Sequence, residues 1–350
     1  MKAAALVAAL AGAALLIVEI SLRLLGYSSP QWYQLDPQLG WSGRPHKRGF
    51  YAYEGGESHV RMNNAGFRDR DRFVDKLEGV YRIAVLGDEV SEAMPVEVTQ
   101  TWWWRLPALL ASCKKQHLRV EVLNFSVGGY GTGQELVTLQ TKAMRYQPDL
   151  VLLQFSNASD VVDNSFALSK QKLRPFFRVD AHGVPRLSES FATSPAFERR
   201  MQTRYRLGEE IADHSRAFQL VRQLARQANE VTFIGEAHAD RDITILREPR
   251  GEPWEEAWRV TEALLAQMDR YAQRNGARFM VVSAPHPLQP VNAMAYPDQR
   301  LAQFAGRSHV PFVAWGNVLR PELYLRGGEW SAEAHRVAAE ALAPHICPLL

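Results

Sequence analysis

Arg82-Ile83-Ala84-Val85-Leu86-Gly87-Asp88 decides the fold. Five residues of strand-forming character, mostly apolar, stop abruptly at a glycine and an acid. That is the mark of a short buried strand feeding a tight turn. The same pattern recurs along the chain. Val120 to Leu123 ends in Asn124 and a glycine-rich turn, and Leu150 to Phe155 ends in small polar residues. Phe279 to Val282 forms a fourth run and Val310 to Val313 a weak fifth. Helical periodicity lies between them, over Thr101–Lys114, Gln134–Tyr146, Trp254–Asn275 and Ala332–Ala343. Short apolar strands alternating with helices predict a three-layer α/β/α sandwich around a parallel sheet of about five strands. In such sheets ligands bind beyond the carboxyl ends of the strands, so the polar tips are where function is sought.

Outside this frame, Tyr27 to Gly79 is rich in Gly, Pro, Tyr and Arg and reads as a lead-in of loops and hairpins, not a core. Residues from about 165 to 250 read as an insertion. Phe176 to Leu187 makes a hairpin around His182-Gly183, and polar, helix-forming sequence follows from Phe197 to Asn229. The expected division is therefore 1–26, 27–80 and 81–350.

Ala3 to Val18 is a run of 16 apolar residues behind Lys2, and apolar positions continue past Glu19 to Leu25. This lies between the lengths of a signal-peptide core and a full span. Leu15-Leu16-Ile17-Val18, the most apolar part, follows the small residues Ala11-Gly12-Ala13 instead of preceding them, which favours an uncleaved signal anchor. A cleaved signal and a buried soluble helix are the alternatives. Glu19 and Arg23 are four apart and can pair on one helix face.

Composition narrows the class. The chain of 350 residues is 46% hydrophobic and 23% charged, with 41 Lys plus Arg against 38 Asp plus Glu. That excludes a disordered chain and a multi-span transporter and leaves no nucleic-acid footprint. Two cysteines, Cys113 and Cys347, exclude a disulfide framework and a paired-cysteine zinc site, and leave one disulfide open.

The strand tips come in a fixed order: Val85-Leu86-Gly87-Asp88, Asn124 to Thr132, Ala158 to Asn164, and Trp330 to Arg336. Together they resemble the four signature blocks of the SGNH (GDSL-type) hydrolase family. The resemblance is to its bacterial membrane-anchored branch, and includes Leu39-Gly40-Trp41 and Asn64-Ala65-Gly66-Phe67-Arg68 in the lead-in. It implies an SGNH hydrolase, flavodoxin-like layered fold over nearly the whole chain. It also implies a serine nucleophile, a histidine base with an aspartate orienter, and an oxyanion hole. Carried over by position, the nucleophile falls on Glu89, the oxyanion glycine on Ser126 and the oxyanion asparagine on Ser159. The base falls on Glu329, and the orienter on Gly327 or Arg326. His335 matches a family histidine that opens the last helix and is not the base. Every catalytic position is thus altered, and acyl transfer needs a nucleophile within reach of a base.

Other residues complete the candidate pocket: Asp88, Ser91, Asp160, His286 and Trp330. Ser91 reads first as a helix-start hydroxyl, His286 as a surface or satisfied loop histidine, and His182 as solvated. Trp102-Trp103-Trp104 reads as packing rather than an aromatic platform. Glu89 and Glu329 replace two groups that touch in the active family, so paired acids with a shared proton or a divalent cation are open beside an inert pocket. No cofactor is expected. Two functions stay open. One is a membrane-anchored, catalytically degenerate binding or assembly subunit, facing the periplasm from the bacterial inner membrane, with a membrane protein complex or a polysaccharide as partner. The other is an esterase or O-acyl transferase on cell-envelope or exported polysaccharide.

Overall fold

The computed structural model describes residues 2–113, 119–188, 190–202, 210, 213–225, 243–248, 251–289, 294–326 and 328–350. Its centre is a parallel sheet of five strands: β5 (Val80–Leu86), β6 (Arg119–Asn124), β7 (Leu150–Ser156), β10 (Arg278–Ala284) and β11 (Phe312–Ala314). Their order is β11-β10-β7-β5-β6, so the chain starts centrally, steps to one edge, then crosses to the other side. That reversal opens a crevice at the carboxyl ends of β5 and β7.

Alternate residues of each strand serve opposite faces. Ala84, Leu86, Val151, Leu153, Phe279 and Val281 pack under α4 (Thr132–Thr141), α8 (Glu252–Arg274) and α9 (Tyr296–Ser308). Ile83, Val85, Leu150, Leu152, Met280 and Val282 pack under α3 (Trp102–Leu110) and α10 (Ala332–Ile346). All seven residues of β7 are buried, which explains why it reads as one unbroken apolar run. Each expected strand is present and in place. Helix α9 has no counterpart among the expected elements. Its sequence opens Ala295-Tyr296-Pro297, and no side chain caps its first turn.

Cys113, after α3, is bonded to Cys347, after α10, with Cα atoms 5.6 Å apart. The disulfide fastens together the two helices of one layer. Trp102 and Trp103 are fully buried in that layer, as packing predicts.

The lead-in forms two antiparallel pairs. One joins β1 (Tyr33–Asp36) to β2 (Gly40–Gly43), the other β3 (Arg48–Tyr53) to β4 (Gly56–Arg61). The expectation that it carries no core needs correction. Leu39 and Phe67 are buried inside the main core, and Trp32, Val60 and Met62 form a satellite cluster with Met94. The lead-in roofs the carboxyl ends of the strands, so its apolar residues have somewhere to go. A Cβ on Gly56 would meet the Pro95 carbonyl oxygen at 2.4 Å, which is how closely that roof is seated.

In the insertion, the hairpin forms as read: β8 (Phe177–Val179) pairs antiparallel with β9 (Pro185–Leu187), and Gly183 turns at φ 74°. Helix α5 (Asp160–Asp163) precedes the hairpin, and helix α6 (Pro195–Met201) and helix α7, residues 216–225, follow it. Much of the remaining insertion lies outside the described residues. Helix α1 (Lys2–Leu24) has no buried residue, and it is long and apolar enough to cross a membrane.

Candidate functional site

The first turn after β5 sets the geometry. Asp88 caps the single-turn helix α2 (Glu89–Glu92), its Oδ1 accepting from the Val90 N–H at 3.0 Å. This places Glu89 at the strand tip, half-buried, where the resemblance puts a nucleophile. The Glu89 carboxylate accepts the Gly129 N–H at 2.9 Å. Glu92, one turn on, accepts the Gly128 N–H at 2.7 Å and the Tyr33 hydroxyl from the roof. The glycine loop after β6 therefore turns its amides toward carboxylates of this chain. Gly129 sits at φ 74°, a conformation glycine tolerates and which supports that approach.

The positions where the resemblance puts an oxyanion hole are occupied in the same way. The Ser126 N–H donates to Asn124 Oδ1 at 3.1 Å, and the Ser126 side chain is fully buried with no hydrogen-bond partner among the described residues. The Ser159 hydroxyl lies 3.5 Å from Asp88 Oδ2. The Glu89 N–H faces its own carboxylate. Each donor that an oxyanion hole needs has an acceptor of the chain beside it.

Ser91 lies in the first turn of α2, at the helix start where the sequence puts it. It is fully buried, donating to Gln154 Oε1 at 2.8 Å and accepting from Trp102 Nε1 at 3.2 Å. His286 is buried rather than on the surface, and its Nδ1 accepts the Leu288 N–H at 3.0 Å, which fits the satisfied loop histidine. His182 is exposed on the hairpin. His335 is buried against Trp330, with ring centroids 5.4 Å apart, and its Nδ1 lies 3.4 Å from the Trp102 N–H. Burial first, then the charges of Arg68 and Arg105, push its imidazole down to about 3, so it is neutral.

Glu329 is half-buried on the loop before α10, and its backbone carbonyl accepts from Leu325 at 2.7 Å. The tip of the β3–β4 hairpin crosses this loop, a Cβ on Gly55 falling 2.9 Å from the Arg326 nitrogen. Glu329 there acts on Tyr51, whose phenol is pushed far up, first by burial and then by Glu54 and Glu329. The charges acting most on Glu89 are instead Asp163 and Arg174. Gly327 lies outside the described residues.

The floor of the crevice is acidic and buried. Asp88 and Asp160 are fully buried, and burial holds both well above the usual carboxylate range. Burial is also the first cause raising Glu89, and it pushes Glu92 up to about 7. Glu135, unremarked in the sequence, joins them from α4. It is 1% exposed, neither carboxyl oxygen has a partner among the described residues, and burial raises it far. A signal existed: positions 135, 136 and 139 share one helix face, and Leu136 and Leu139 are core. Tyr33 and Tyr51 were also missed, since nothing in the lead-in shows which strand ends it will cover. Among the described residues no three His, Cys, Asp or Glu side chains assemble into a group able to hold a metal ion.

No family model matches the chain, and no curated protein matches it. Among solved structures, the chain is similar to TesA at 14% identity, over 77% of this chain and 99% of that one, with a TM-score of 0.41. It is similar to a GDSL-like lipase from Bacteroides thetaiotaomicron at 11% identity, over 77% and 89%, with a TM-score of 0.36. A catalytic mutant of an acetylxylan esterase from Geobacillus stearothermophilus is 12% identical over 76% and 94%, with a TM-score of 0.39. Likeness at this level says nothing about activity.

Proposed function

We propose that this chain is a catalytically degenerate protein of the SGNH hydrolase fold, held in a bacterial inner membrane by residues 1–26, with its body outside the cytoplasm as a binding or assembly subunit. One observation carries the loss of activity: Glu89, Ser126 and Ser159 all direct their donors at acceptors of the chain itself. A tetrahedral oxyanion would have to displace a buried carboxylate or an asparagine to be bound. Losing one such donor alone costs on the order of a hundredfold in rate. Nor is there a hydroxyl at the nucleophile position for a base to activate.

The Cys113–Cys347 disulfide favours an oxidising compartment, and with α1 it supports a periplasmic body behind an anchor. The partner is a membrane protein complex or an exported polysaccharide, met at the roofed crevice. The full chain in detergent is expected to hydrolyse p-nitrophenyl acetate no faster than buffer does, and Glu89→Ser alone is expected to restore nothing. A saturable rate abolished by Ser91→Ala or His286→Ala would favour the esterase instead.

A further inference from the structure

Helix α7 is built inside out for a protein in water. Its body-facing side is polar. Gln219 is fully buried, its Oε1 accepting from the Ser29 N–H and from Arg216 Nη1, both at 2.9 Å, while its amide donates to the Asp213 carbonyl. Arg222 donates to the Ser29 carbonyl at 3.0 Å, and Gln223 accepts the Tyr27 hydroxyl. The outward side is apolar. Phe218, Val221 and Leu224, spaced three apart, are 51%, 63% and 54% exposed. In water the favourable arrangement is the reverse.

The position of α7 names the solvent. Glu19 of α1 accepts the Ala217 N–H at 2.9 Å and the Ser215 hydroxyl at 3.2 Å, at the first turn of α7. Arg23 pairs with the same Glu19 and donates to the His214 carbonyl at 2.7 Å. The apolar run Ala3–Val18 rises roughly 24 Å at 1.5 Å per residue, and one further turn, with Ile20 and Leu22, brings it to the roughly 30 Å of a hydrocarbon core. Glu19 and Arg23 then lie at its boundary, and α7 is pinned to that depth. The acid in the apolar helix is satisfied by these partners, as an ion at a lipid edge must be.

Charge points the same way. A cleft of about 640 Å³ at the end of α1 runs from Leu22 and Leu25 to Phe50, Arg48 and Arg61. Arg61 pairs with Asp71, and the exposed Arg48 has no ion-pair partner among the described residues. Anionic headgroups suit such a rim.

We propose that α7 lies in the plane of the bilayer with Phe218, Val221 and Leu224 in its acyl boundary. The body would then rest on an anionic lipid surface instead of swinging from a single anchor. This rests on α1 spanning the membrane. The test uses the full chain in phosphatidylethanolamine–phosphatidylglycerol bilayers, with a nitroxide on Phe218→Cys, Ile17→Cys or Phe73→Cys. The native cysteines are paired with each other, so the added one labels alone. All three sites are exposed, 65% for Ile17 and 86% for Phe73, so folding is not at risk. Position 218 is expected to collide with oxygen several-fold more than with a nickel chelate, as position 17 does, and position 73 the reverse. A label at 17 that behaves as in lipid beside one at 218 open to nickel overturns this proposal alone. A label at 218 shielded from both reagents also overturns it and marks a protein partner or a second copy. Nickel access at 17 overturns the anchor itself.

Discussion

The two ends of the parallel sheet bury polar groups under opposite rules. At the amino end Arg82 is 3% exposed, and all five of its guanidinium N–H groups have acceptors. Nε donates to Glu121, Nη1 to the Val74 and Tyr146 carbonyls, and Nη2 to those of Phe73 and Asp75, all within 3.2 Å. Asp149 accepts the Arg82 N–H and an ion pair from Lys76, both at 2.7 Å. At the carboxyl end Glu135, Asp160 Oδ1, the Ser126 hydroxyl and the Gln154 amide nitrogen lie buried without partners among the described residues. The first arrangement stabilises a fold. The second costs stability, as the lining of a reaction site does, yet the donors and base that a reaction needs are occupied or replaced. On the function proposed above, the difference is what a site keeps once its chemistry is lost.

The largest expected effect breaks the satisfied end. Arg82→Met strips four carbonyls and Glu121 of their donor, and should lower unfolding free energy in urea by about 3–5 kcal/mol. A loss near zero would mean that the two ends do not differ. Next is the disulfide, which lies at that same end: Tyr81, at the start of β5, donates to the Leu349 carbonyl beside Cys347. Cys113→Ser with Cys347→Ser should cost about 2–5 kcal/mol in the same assay.

The carboxyl end is sharpened by pH. Glu92 is held at about 7, so the folded state keeps a proton that the unfolded state releases near 4.5. Its favourable contribution is complete below pH 4.5 and is lost as pH rises to 7, about 3 kcal/mol in all. His335, down at about 3, acts oppositely: its contribution is complete above pH 6.5 and is lost as pH falls. The two overlap in the unmodified chain, so the comparison is with Glu92→Gln, whose amide oxygen can still accept from Tyr33 and Gly128. That variant should be the more stable protein at pH 8, with its advantage shrinking toward pH 5. The smallest effect is Ser126→Ala, which removes a buried hydroxyl with no partner and should change stability by about 1 kcal/mol or less.

Much of this was legible because burial writes itself into sequence. Leu150–Phe155 can only be a strand covered on both faces, and Gly87-Asp88 can only be its turn. The positions Glu89, Ser126 and Ser159 were named because the resemblance sets its signature blocks at the strand ends. What stayed hidden depends on contacts far apart in the chain. Tyr33 meets Glu92 across 59 residues, and no local pattern encodes that. Glu135 went unremarked because the burial of an acid shows only once α4 is seen packed on the sheet beside α8. Helix α7 has an ordinary amphipathic pattern, and the sequence does not say which side faces the body.

The central claim is that no base-activated serine works at the carboxyl ends of the strands. A fluorophosphonate probe tests it without knowledge of a substrate, because it labels any serine activated by a base. After incubation of the full chain, intact mass is expected to show unmodified protein, as in a heat-denatured control. A stoichiometric adduct mapping to Ser91, Ser126 or Ser159 would contradict the account.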